Sequence, residues 1–104
     1  MKSCLTSSAP RARLALSTDP SNLDIIARRA GQGAVELSNA QQSIEVVVER
    51  SDGDATSTMG AYHVFARAAA SLGVSAHLQQ HGNVVVVFTH SPTRVEQDVV
   101  NGCV

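Results

Sequence analysis

A chain of 104 residues is the length of one domain, with no room for a second. With 43% hydrophobic and 16% charged residues it reads as globular, and a net charge of −1 argues against a general polyanion binder. No apolar run approaches the roughly 18 residues that cross a bilayer, so no membrane partner is expected.

Only 3% of the residues are aromatic, so the core is expected to consist of Val, Ala and Leu. Small side chains bury little area each, and burial against a partner would add to stability. The charge is uneven. Residues 1–43 carry Lys2, Arg11, Arg13, Arg28 and Arg29 against three acids, a balance of +2, whereas residues 44–104 balance at −3.

Residues 1–10 read as a flexible polar tail ending at Pro10 and residues 101–104 as a second one, which leaves 11–100 as a single α/β domain. The opening residues lack an apolar stretch of secretory length, so a cytoplasmic protein is expected. Cys4 and Cys103, at opposite extremes of the chain, are then expected to be reduced thiols.

A weak alternation over Arg11–Ser17 predicts a first strand. Asp19-Pro20 supplies a cap followed by proline, the signature of a helix start. Leu23, Ile26, Ala27, Ala30, Ala34 and Leu37 continue at helical spacing through Gly31 and Gly33, predicting a helix to about Ala40. Ser43–Arg50 is the clearest strand, with Ile44, Val46 and Val48 on one face and Glu45, Val47 and Glu49 on the other. Ser51-Asp52-Gly53-Asp54 signals a turn.

A second helix capped by Thr56 or Ser57 is expected to run to Leu72 and stop at Gly73. Val74–Gln80 reads as a third strand, His81-Gly82-Asn83 as a hairpin turn and Val84–Thr89 as a fourth strand. Ser91-Pro92 then opens a short last helix carrying Val95 and Val99. The element order β-α-β-α-β-β-α predicts an α/β (α+β) two-layer sandwich. It has a mixed four-stranded sheet and helices mainly on one face.

Two surfaces conflict with a monomer. The second helix is polar only along Gly60, His63, Arg67 and Ser71, with Thr58 apart, so its apolar arc is about three quarters of the circle where roughly 100° suffices to cover one sheet. The valine-rich fourth strand leaves apolar side chains on the open sheet face in either register. A three-residue turn is the preferred register, because it buries Phe88 beside Leu78. Val47, Val85 and Val87 are the expected interface.

Chemistry is harder to find. His77 and His81, four residues apart on a strand, lie roughly 13 Å from one another, whereas two zinc ligands each sit about 2 Å from the ion. No metal and no cofactor is expected. Asp52, Asp54, Thr56 and Ser57 occupy the strand-to-helix junction where α/β sheets tend to bind ligands, although turn and cap residues look the same. His63 and Arg67, one helical turn apart, form a candidate acid/base and oxyanion pair with Asp54. Nucleophile-elbow, phosphate-loop and dinucleotide motifs are absent.

The leading expectation is a homo-oligomeric binding or assembly module, a homodimer or larger, without catalytic activity. The alternative is a small enzyme or ligand-binding protein using His63, Arg67 and Asp54. A nucleic-acid binder using Arg11, Arg13, Arg28 and Arg29 stands third, for want of charge and stacking aromatics.

Overall fold

The computed structural model describes residues 1–71 and 76–104. Among these residues the class is α+β: a five-stranded, wholly antiparallel sheet and four α-helices. The elements are α1 (Lys2–Ser8), β1 (Ala15–Ser17), α2 (Ile25–Arg28), β2 (Ala34–Ser38), β3 (Ser43–Val48), α3 (Asp52–Ala70), β4 (His77–His81), β5 (Val84–Phe88) and α4 (Arg94–Cys103). The strands lie in the order β1-β2-β3-β5-β4. The expected mixed, four-stranded sheet is therefore corrected in strand number, direction and order.

The extra strand comes from the predicted first helix. Asp19 does cap a turn, with its side chain accepting from the Ser21 amide, but that turn is a short 3-10 segment, Pro20–Asn22. Asp24 then caps the single turn of α2. Gly33 adopts φ +95°, a backbone that disfavours any side chain, and the helix cannot continue through it. Beyond it the chain pairs with β3, Val35 opposite Val46 and Leu37 opposite Ile44. Asn39 closes the turn, its Oδ1 accepting from the Gln41 and Gln42 amides at 2.8 Å each. Ala34 and Leu37 satisfied a helical period only because strand alternation also places apolar residues here.

Helices cover both faces of the sheet, not one. Leu37, Ile44, Val46, Val84, Val86 and Phe88 pack under α1 and α4 through Leu5, Val99 and Val100. Val47 and Val85 pack on the other face against Leu23, Ala27, Ala55 and Tyr62 of the α2–α3 side. The two-layer sandwich with an open face gives way to a sheet between two helical layers.

The segment expected as an N-terminal tail supplies much of one layer. Leu5 is fully buried, Ala9 lies in a 3-10 segment (Ala9–Ala12) packed on the same core, and the first strand shortens to Ala15–Ser17. At the other end, Cys103 belongs to α4 and forms a disulfide with Cys4 of α1, with a Cα–Cα distance of 5.5 Å. The expectation of two reduced thiols is therefore corrected. No helix among the described residues is long and apolar enough to cross a membrane.

The hairpin turn has two residues, Gly82-Asn83, with Gly82 at φ +63°. Leu78 therefore sits opposite Val87, and Phe88 is buried on the other face, opposite Ile44. The three-residue turn expected from the sequence is wrong. It assumed that Phe88 needed the Leu78 face for burial, whereas α1 and α4 bury it on theirs.

Ser51 caps α3, its Oγ accepting from the Asp54 amide at 3.1 Å, so the predicted Asp-Gly-Asp turn is instead the first turn of the helix. The predicted stop at Leu72-Gly73 and the start of the third strand at Val74 lie outside the described residues. For α4 the cap is Thr93, not Ser91. Its hydroxyl accepts from the Glu96 amide while Glu96 Oε1 accepts from the Thr93 amide. Buried Gln42 donates to the same Glu96 oxygen and to the His90 carbonyl, which locks α4 to the β2–β3 turn. Thr93→Ala should cost about 1 kcal/mol of stability in a urea melt; an unchanged midpoint would show that the Gln42 bracket holds the helix end alone.

Candidate interaction surface

The sheet-facing stripe of α3 is narrow. Ala55 and Tyr62 are buried, and Thr58, Met59, Ala66 and Ala69 are half-buried along the same side. This stripe is 3.6-periodic and covers one sheet face as a single helix should. The rest of the wide apolar arc points away. Ala61, Val64, Phe65 and Ala68 are exposed, and they are neighbours at three- and four-residue spacing.

Val64 is 68% and Phe65 60% exposed. Ile25 of α2, 58% exposed, extends the patch, because Phe65, Ile25 and Ile26 enclose a niche of about 20 Å³ with Tyr62 and Asp24 at its base. Phe65 is thus not a core residue, although its place among alanines suggests one. The helix has two apolar sides, and Tyr62 occupies the inward one. The expected interface at Val47, Val85 and Val87 is occupied from within. Val47 and Val85 are fully buried beneath the chain's own α2–α3 side, and Val87 is half-buried there.

The candidate catalytic residues do not converge. His63 and Arg67 are exposed and share a shallow depression with Ala66, Ala70 and Ala76. Asp54 lies nine residues earlier on the same helix, about 13 Å along its axis. It lines a different cleft, between α2 and α3, with Ser57, Arg29 and Glu49. The proposed ligand loop is helical. Thr56 and Ser57 hydroxyls donate to the carbonyls of Asp52 and Gly53 one turn back. Glu49, buried beside the cleft, accepts from the Gly31 amide and the Thr58 hydroxyl, so both its oxygens are used within the chain.

His77 and His81 stand at the two ends of β4, and no group of three or more metal-type ligands gathers among the described residues. Arg11 and Arg13 lie at the 3-10 segment packed on the α1–α4 face, whereas Arg28 and Arg29 lie at α2 on the opposite face. The two arginine pairs form no common patch.

Sequence reasoning missed a polar cluster under the apolar patch. The Tyr62 hydroxyl lies 3.0 Å from both Asp24 oxygens, and Asp24 Oδ1 also accepts from the Ala27 amide at 2.8 Å. Glu45 of β3 faces this group, with Glu36 directly across on β2. Burial pushes the Glu45 carboxyl up to about 8, and the charges of Asp24 and Glu36 add to the shift. Burial raises the Tyr62 hydroxyl as well, reinforced by Glu45 and Asp24, so it stays protonated and donates. The available signal was Glu45 itself, a carboxylate alternating with Val47 on a strand face that needs cover.

No family model, curated protein or solved structure matches this chain.

Proposed function

We propose that the chain is a self-associating binding or assembly module with no catalytic activity of its own, docking through the outer face of α3 and Ile25. The observation that carries this reading is three large apolar side chains, each more than half exposed: Ile25 and Phe65 line one niche, and Val64 lies next to Phe65 on the exposed side of α3. Patches of this kind mark interfaces more often than they occur idly. Ala61 and Ala68 flank Val64 and Phe65 one turn to either side, so a second helix can approach closely there. α3 is about 28 Å long, enough to form the spine of a two-fold interface in which the same face meets itself. The disulfide favours a compartment more oxidising than the cytoplasm.

Light scattering across a concentration series tests the reading. A dimer or larger assembly is expected at micromolar concentration, shifting toward monomer in Val64→Ser with Phe65→Ser. Both side chains are already mostly in water, so the paired change should cost less than about 1 kcal/mol of monomer stability. A monodisperse 10.9 kDa particle at every concentration would overturn it.

A further inference from the structure

We propose that one proton, shared between the carboxyl groups of Glu45 and Asp24, fastens α2 to the sheet, and that its loss releases α2. The inference stands apart from self-association and rests on a count of donors. Tyr62 has one hydroxyl proton, and it lies between the two Asp24 oxygens. The Ala27 amide supplies a second donor to Asp24 Oδ1. Glu45 Oε2 is buried and meets no donor at all. A buried carboxylate oxygen without a donor is strongly disfavoured, and a second carboxylate facing it adds repulsion. A single proton removes both problems, because the Glu45 acid can then donate to Asp24 across the gap.

Among the described residues, no cation offsets the charges that act on Glu45. From α2 comes Asp24, whose charge raises Glu45 while its backbone amide partly offsets the effect. From β2 comes Glu36, opposite Glu45 in register and accepting from the Ser43 hydroxyl. β5 presents Val87, and α3 presents the Tyr62 hydroxyl. Glu49, on the same side of the sheet, adds a further negative field at Tyr62. Arg28 of α2 turns its Nε to the Leu23 carbonyl.

Folding raises the Glu45 acid from 4.5 to about 8. The proton's contribution is fully present below about 4.5, declines as pH climbs toward 8 and is lost above it. α2 is the weak point, since it is a single turn whose cap is Asp24 itself.

Amide hydrogen exchange of the native protein at pH 6 and pH 9, corrected for intrinsic rates, tests this. Protection at the Ala27 and Arg28 amides should fall on the order of tenfold or more, while Val46 and Val86 in the sheet keep theirs. In Glu45→Gln the amide donates to Asp24 at every pH, so α2 protection should not change. If that variant does not fold, Asp24→Asn supplies the same permanent donor from the other side and should give the same flat profile. Equal pH dependence in the wild type and the folded variant would overturn the proposal, as would wild-type loss of α2 protection in step with the sheet.

Discussion

Phe88→Ala should lower stability by about 3–5 kcal/mol, a large part of what a small domain possesses. Phe88 is fully buried, lies opposite Ile44 in the sheet and sits where α1 and α4 close over the valines of β3 and β5. It is the largest of the fully buried side chains, and the rest of that group are valine, leucine and isoleucine. Branched side chains on a hydrogen-bonded sheet cannot move far into a void, so most of the cavity should remain open. Phe65→Ala is the control. It removes an equally large ring from a position 60% exposed in the single chain and, measured at a concentration where the chain is monomeric, should cost less than about 1 kcal/mol. Urea melts of the two variants decide the matter. Comparable losses would mean that Phe65 is covered in solution, as a tight dimer would cover it; a small loss for Phe88→Ala would contradict the packing itself.

That pair of phenylalanines shows what the sequence could and could not reveal. β3 was legible because six residues alternate cleanly, and the facing of Ile44, Val46 and Val48 follows from alternation alone. The surplus apolar arc of α3 was legible too, since it depends only on the helical period. Which side of that arc faces inward depends on the partner layer, and nothing local distinguishes Phe65 from Tyr62. The segment from Leu23 to Leu37 fitted two periods at once. The deciding fact, a positive φ at Gly33, is set by the long-range pairing of β2 with β3. The polar N-terminal segment looked like a tail because its helix buries only Leu5, against residues about a hundred positions away. The polar cluster was hidden for the same reason. Asp24, Glu36, Glu45 and Tyr62 come from four elements, and only the assembled sheet and helices bring them together.

Breaking the Cys4–Cys103 bond should cost about 2–5 kcal/mol. The two cysteines are 99 positions apart, so the bond closes nearly the whole chain into a ring. In the chain-entropy account a loop of about this length restricts the unfolded state by roughly 4.7 kcal/mol, with measured effects commonly smaller. At about 4–8 °C per kcal/mol for a domain of this size, the thermal midpoint should move by tens of degrees at the upper end. The native contacts of the two helices do not depend on the bond, because Leu5, Ala9, Val99 and Val100 are buried on the same core. The reduced chain should therefore still fold, with α1 the first element to lose hydrogen-exchange protection. Cys4→Ser with Cys103→Ser should melt where the reduced wild type melts, and well below the oxidised protein. If reduction leaves the midpoint within about 1 kcal/mol of the oxidised value, the helices hold each other without the bond and the staple is incidental. If the reduced chain loses α1 but keeps the β3–β5 amides protected, the loss is confined to the α1–α4 layer, as the separation of the two cores on opposite sheet faces requires.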